Sequence, residues 1–233
     1  MLNKDKRSIT LSFLLGDGCM HYTSAKNKKG QPSSGCITIA HGNAQADYNA
    51  WKAKMLGFIY NRDIKIRPFN KGTATQISIC VKRFKAWRKF CYPNGKKDLP
   101  TVLKFIRHPE FALAIWLMDD GYVEPSLDKR YPGKCYGAVF RIFTCDQTPE
   151  QHAKMIEWFQ KTFQVTPKVA YSKKDDIYYP FLKFNTPDSL KLWGFIREHV
   201  LQHKSMKHKF RYMEYRYQYK SVTASTSQPK TGE

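Results

Sequence analysis

The sequence predicts an α+β protein made of one unit used twice, α-β-β-α-β-β-α in each half. Two observations predict it. Apolar stretches that each end in Asp-Gly recur at Asp17 and Asp120, 103 positions apart. Behind each, segments alternating as strands do and segments spaced as amphipathic helices are follow in the same order.

The more distinct apolar stretch runs from Phe111 to Met118 without a polar side chain and meets Asp119, Asp120 and Gly121. A helix apolar all round is a buried helix, and a glycine commonly caps its end. Ile9 to Cys19 repeats the pattern as a helix ending in Asp17-Gly18, with Ser12 and Gly16 small enough for close helix packing. A carboxylate at a helix C-terminus faces the negative end of the helix dipole and needs a positive partner. Two such acids brought together are a site for Mg²⁺, a hard cation that takes oxygen ligands.

After the first helix, residues 22–35 are polar, carry Lys26, Lys28 and Lys29, and read as a hairpin loop. Residues 36–41 alternate with Ile37 and Ile39 on one face, and 44–60 place Tyr48, Trp51, Met55 and Ile59 at helical spacing. Strands at 64–69 and 75–81 join through the turn at Asn70, Lys71 and Gly72. A short helix at 84–90 and a loop at 92–100 lead to a connecting segment.

The second half opens with a basic loop at 128–134 and a strand at 136–144, where Thr38 pairs with Arg141 at the same offset. Lys82 and Lys183, 101 apart, make a nearby pair. Thr148-Pro149-Glu150-Gln151 has the form of a capping box and starts a helix to about 163, with Met155, Phe159 and Phe163 on one face. Strands at 166–172 and 177–184 follow, then a helix capped by Thr186-Pro187. Residues 1–100 thus form the N-terminal lobe, 101–107 the connection, 108–220 the C-terminal lobe and 221–233 a solvated tail.

The chain carries 40 Lys+Arg against 19 Asp+Glu, a formal charge of +21, which points to a polyanionic partner. No stretch approaches the roughly 18 apolar residues of a membrane span, so nucleic acid is favoured over a membrane. The apolar run behind the basic N-terminus stops at Gly16-Asp17 with no small-residue cleavage site, unlike a signal peptide. Six cysteines without CxxC spacing read as reduced intracellular thiols, not as a disulfide frame or zinc site.

The polar strand faces gather Lys65, Arg67, Lys82, Arg141, Lys168 and Lys183 with few acids beside them. A two-stranded ribbon fits the major groove, where Arg and Gln read base edges and Lys holds phosphate. The remaining candidate DNA contacts are Lys28, Lys29, Thr38, Lys71, Gln76, Ser78, Arg130, Lys134 and Lys173.

Leu113, Ala114, Leu117, Asp120 and Gly121, and less closely Leu14, Asp17 and Gly18, make both segments resemble the signature helix of the LAGLIDADG homing endonucleases. Leu15 and Met118 depart from it where the consensus has its first acid. The resemblance is to the single-chain members with two copies. It implies a pseudo-symmetric monomer whose two antiparallel sheets form a saddle over duplex DNA, with the signature helices packed between the lobes. It further implies Mg²⁺-dependent cleavage of both strands of a long asymmetric site, leaving 3′ overhangs, with Mn²⁺ able to substitute and Ca²⁺ supporting binding alone.

By the same resemblance Asp17 and Asp120 are metal ligands, joined by the carbonyls of Gly16 and Asp119. Lys97 is the catalytic lysine of the first half, and Lys209, with Lys207 as the alternative, that of the second. The Asp119 carboxylate, a third acid with no partner in the first half, reads either as a support behind the metal ligands or, in preference, as a solvated helix end. Two rival readings are a maturase that binds its own intron RNA, stacking bases on residues 211–217, and a DNA-binding protein that does not cut. An organelle, or a bacterial or phage cytoplasm, would suit such a protein.

Overall fold

The computed structural model describes residues 2–127, 135–144 and 146–226. Its centre is helix α5, Pro109–Asp120, which starts with proline in the first turn. Ala112 to Met118 are at most 1% exposed, so the helix is buried all round. Helix α1, Asn3–Ser12, packs along it. The buried Ser8 Oγ accepts the Arg107 N–H at 2.8 Å and ties α1 to the chain entering α5.

The two signature segments end differently. Asp120 is the last residue of α5, whereas α1 stops at Ser12 and its continuation tightens. Leu14 N–H bonds Leu11 O at 2.9 Å and Leu15 N–H bonds Ser12 O at 3.2 Å, each only three residues back. The expected helix through Asp17 is therefore a shorter helix followed by turns, closed by Gly18 N–H on Phe13 O at 3.0 Å. Gly16 stands where the two segments touch: a Cβ there would lie 2.2 Å from the Asp119 Cβ. Gly121 has an extended backbone (φ −84°, ψ 152°), not the left-handed cap expected; it is needed for room, because a Cβ would lie 2.3 Å from Leu117 O.

Each lobe is a four-stranded antiparallel sheet backed by helices. The first holds β1 (Cys19–Tyr22), β2 (Gly35–Gly42), β3 (Ile66–Phe69) and β4 (Ala74–Val81) in the order β1-β2-β4-β3. The second holds β5 (Gly121–Leu127), β6 (Cys135–Phe143), β7 (Lys168–Lys174) and β8 (Ile177–Lys183) in the order β5-β6-β8-β7. Helices α2 (Ala46–Tyr60) and α3 (Phe84–Cys91) cover the first sheet. Helices α7 (Thr186–Leu201) and α8 (Lys207–Thr226) cover the second, with α6 (Pro149–Phe163) packed beside them. The connecting segment begins with a short helix, α4 (Leu99–Leu103), which docks on α6. Helix α8 also runs to Thr226, into the stretch expected to be a solvated tail.

The 103 offset survives in the structure. Helices α2 and α6 are 15 residues each, with bounds 103 apart, and both end in a left-handed residue, Asn61 and Gln164. Cys19 faces Thr38 as Tyr122 faces Arg141. Across the next strand Thr38 faces Ser78 and Arg141 faces Lys183, so Lys183 answers to Ser78 and not to Lys82. A β7–β8 hairpin two residues longer than β3–β4 raises the offset here from 103 to 105, further from the 101 that separates the two lysines: Ala170 pairs with Phe181, 11 positions on, where Arg67 pairs with Gln76, nine on.

The capping box at Thr148 forms, with its Oγ1 accepting the Gln151 N–H and Gln151 Oε1 accepting the Thr148 N–H. At α7 the cap is one residue earlier than expected, since Asn185 Oδ1 accepts the Asp188 N–H at 2.7 Å. The thiol expectation fails at one pair. Cys36 and Cys80 face each other across β2 and β4, Cα atoms 4.0 Å apart, and are disulfide-bonded. Sequence spacing does not show such a juxtaposition; strand register does. Cys19, Cys91 and Cys135 are free, and Cys145 lies outside the described residues.

Gly16→Ala forces a methyl into the Asp119 side chain and destabilises the fold by about 1–3 kcal/mol. Urea unfolding checks this, with the midpoint expected to fall.

Candidate active site

The ends of α1 and α5 bring Asp17, Asp119 and Asp120 into one small region. Burial, then the neighbouring acids Asp17 and Asp119, push the Asp120 carboxyl from its ordinary 3.8 up to about 7. Asp17 is raised as well, by burial first and by Asp119 second. Lysines from both lobes converge on the carbonyls that precede these two acids. Lys97 Nζ donates to Gly16 O at 2.8 Å. Lys209 Nζ donates to Met118 O at 2.7 Å and Asp119 O at 3.1 Å. Burial lowers the pKa of both ammonium groups while the acids pull the other way. The two lysines come from unlike places, a loop after α3 and the first turn of α8. Lys207 is exposed, so of the two second-half candidates Lys209 is the one at the site.

Asp119 is not the solvated helix end that the sequence suggests. Its carboxylate is fully buried and accepts from Lys52 Nζ at 2.8 Å on each oxygen, and from the Asp17 N–H at 3.1 Å. Lys52 is equally buried, its ammonium 4.3 Å above the Tyr48 ring and 2.8 Å from His41 Nε2. Burial lowers the Lys52 pKa and brings that of His41 down to about 4. His41 Nδ1 faces Gln45 Oε1 at 3.1 Å and Asp17 Oδ2 at 3.3 Å.

This chemistry sorts the groups that could take a divalent cation. The two crowded carboxylates with raised pKa values and the adjacent carbonyls form a hard, oxygen-rich donor set short of positive charge, which fits Mg²⁺ or a similar ion. Asp17, His41 and Asp119 also cluster, with ligand atoms within 4.8 Å of one another. They do not fit as a site, because Lys52 already occupies both Asp119 oxygens and His41 Nε2.

On the sheet faces turned away from the helices the register sets Cys19, Thr38 and Ser78 in one row and Gln76 with Arg67 in the next. Lys65, Arg67, Thr38, Gln76 and Ser78 line a single groove of about 740 Å³. Lys82 is exposed beyond the end of β4, Lys71 at the β3–β4 turn, and Lys28 and Lys29 in the β1–β2 loop. On the second sheet Arg141, Lys168 and Lys183 lie in one row. Lys173 falls on the opposite face by strand alternation and pairs with Asp176 at 2.7 Å. Arg130 and Lys134 lie outside the described residues.

Few acids are expected beside these bases, and two of the bases do share one. Glu124 accepts from both Arg141 nitrogens it faces and from Lys183 at 3.0 Å, and the Arg141 bond holds its carboxyl below the usual range. In residues 211–217, Tyr212 packs against the core and Arg211 lies over its ring, while Tyr215 and Tyr217 are exposed.

A family profile described as the LAGLIDADG DNA endonuclease family matches residues 7–192, most of the chain and both acids. The chain belongs to the LAGLIDADG DNA endonuclease family. Solved structures share the fold. The homing endonuclease I-WcaI bound to its DNA recognition sequence is 15% identical with a TM-score of 0.62, covering 90% of this chain and 87% of that one. I-DmoI in complex with DNA and Mn is 15% identical with a TM-score of 0.53, covering 83% and 96%. A point mutant of I-SmaMI is 12% identical with a TM-score of 0.52, covering 95% and 92%. No curated protein sequence matches.

Within this LAGLIDADG chain, sequence reasoning missed Lys52, His41 and Glu124. A signal existed for the first two: Lys52 falls four residues after Tyr48 on the apolar stripe of α2, and His41 shares the inward parity of Ile37 and Ile39.

The raised Asp120 pKa ties stability to pH. The folded state holds the proton more tightly than the unfolded one, so this contribution is full below the ordinary value of 3.8 and is lost as pH rises toward about 7. Asp120→Asn removes the ionisation. Without added metal, the Tm advantage of that variant over wild type is expected to grow from pH 4 to pH 8, and a constant difference would count against the assignment.

Proposed function

We propose that this chain is a site-specific endonuclease that cuts both strands of a long, asymmetric duplex DNA, leaving 3′ overhangs. The observation that carries this reading is the pair of crowded acids, Asp17 in the turns after α1 and Asp120 at the end of α5, each preceded by a carbonyl that holds a lysine. Binding alone would not call for carboxylates in a field of phosphates. Asp17 and Asp120, with the carbonyls of Gly16 and Asp119, would hold divalent cations, Mg²⁺ first and Mn²⁺ as a substitute, with Ca²⁺ supporting binding without cleavage. Such cations activate water and neutralise charge on the phosphate and leaving oxygen.

The lysines supply the remaining positive charge. Lys97 and Lys209 stand one hydrogen bond from the carbonyls beside the acids, where a phosphate oxygen gaining charge in the transition state would meet them. The sheet faces would lie over the DNA as a monomeric saddle. Lys65 and Lys82 would position the backbone, and Arg67 and Gln76 would read base edges from the first sheet. Arg141 and Lys183 are already bridged by Glu124, so the second sheet would attract phosphate less strongly than its lysines and arginine suggest.

A randomised library of DNA sites, incubated with Mg²⁺ or with Ca²⁺, tests the reading. Wild type is expected to yield double-strand cuts at one long site in Mg²⁺ alone. Asp17→Asn or Asp120→Asn should lower cleavage by about 1,000-fold or more, and Lys97→Met or Lys209→Met by roughly 100-fold, with DNA binding retained. Binding without cleavage by wild type in any divalent metal would overturn the enzyme reading.

A further inference from the structure

The acids have related surroundings on the lysine side and unrelated ones on the other. Behind Asp17 lies the buried chain of Lys52, His41 and Asp119. The 103 offset shared by α2 and α6 and by the strand register names its counterparts in the second lobe. Lys52 becomes Met155, fully buried, and His41 becomes Thr144, whose hydroxyl bonds His152 Nε2 at 2.8 Å. Asp119 becomes Gly16. None of the three residues is kept in the other half, where Thr144 retains a hydroxyl but turns it to His152. No side chain among the described residues hydrogen-bonds the Asp120 carboxylate.

The bonding fixes proton positions. Lys52 Nζ is surrounded by three acceptors, the two Asp119 oxygens and His41 Nε2, each at 2.8 Å, and an ammonium group has three protons to give. His41 Nε2 must then accept, which leaves the ring proton on Nδ1. That N–H bonds Gln45 Oε1 at 3.1 Å, and Asp17 Oδ2 lies beside it, 3.3 Å from Nδ1. Asp119 adds a second hold on the same residue by accepting the Asp17 backbone N–H at 3.1 Å. Asp17 is thus held at its main chain by Asp119 and flanked at its carboxylate by the His41 ring, which Lys52 fixes from behind; the three side chains are at most 1% exposed.

We infer that the side chains of Lys52, His41 and Asp119 act as a positioning unit for Asp17 and not for Asp120, so that the two halves of the active site are inequivalent and the two DNA strands depend on that unit unequally. The inference rests on the endonuclease reading. None of the three touches DNA or takes a metal in this role. They set the direction of the Asp17 carboxylate, as outer hydrogen-bond partners orient ligands generally, where their loss costs about 10–100-fold.

Changing Lys52 alone would strand a buried charge, so the test removes both partners, Lys52→Met with Asp119→Ala. On a plasmid carrying the target site, with each strand labelled separately, the variant should slow cutting of one strand about tenfold or more and the other less than about threefold, so that nicked circles accumulate. His41→Leu should shift the strand ratio in the same direction, and His41→Asn, whose amide nitrogen overlies Nδ1, should restore it. Imidazole ¹⁵N chemical shifts of the metal-free protein give a readout apart from activity. Wild-type His41 should show a protonated Nδ1 and an accepting Nε2, and the double variant should lose that tautomer preference. Equal slowing of both strands, no slowing, or an Nε2-protonated His41 in wild type overturns the inference. Wild type that cuts neither strand overturns the endonuclease reading, and with it the assignment to strands.

Discussion

Two chain segments that touch at their C-terminal ends concentrate negative charge: carbonyl dipoles, two raised carboxyls and a third acid share one small volume. The contact is possible only because Gly16 has no side chain where Asp119 presses against it. The surroundings answer this charge with lysine, drawn from a loop at Lys97, from α8 at Lys209 and from α2 at Lys52. Two of the three stop at main-chain oxygens, so the Asp17 and Asp120 carboxylates feel their charge without a direct bond to it. The third neutralises the remaining acid completely. Charge balance thus separates the acids suited to chemistry from the acid that belongs to the framework.

That separation gives the internal repeat its meaning. The lobes agree in sheet order, in the length and left-handed C-caps of α2 and α6, and in the placing of Asp17 and Asp120. They part at three positions that touch one another, and a charged residue at any one of these would be unsupported without the other two. A buried ion pair is weak evidence for stability in itself. Here its geometry gives one carboxylate a fixed bearing that the other does not have.

Much of this was legible in the sequence, and what escaped has a common cause. Phe111 to Met118 announced α5 because a run without polar groups has only the interior to occupy. Thr148 and Gln151 announced a capped helix because their bonds are local. The burial of Asp119 was hidden because it depends on Lys52, 67 positions away on another element. The Cys36–Cys80 bond and the Arg141–Glu124–Lys183 bridge were hidden likewise, since each follows from strand register and not from spacing. The expected Lys82–Lys183 pairing failed because its offset of 101 keeps the alternating pattern of 103, while a hairpin two residues longer moves the true offset the other way, to 105.

The bridge around Glu124 has a consequence for how a duplex would be held. A mobile lysine or arginine laid on phosphate releases condensed counterions and loses its own rotational freedom at that moment. Arg141 and Lys183 have already lost much of theirs to Glu124 in the unbound protein. The second sheet would therefore meet DNA as a preformed surface whose free-energy gain comes from fit more than from ion release, while the first would cling through salt-sensitive attraction. One lobe would then resemble a mould and the other a magnet, and the ionic strength of the medium would decide how much of the grip each supplies.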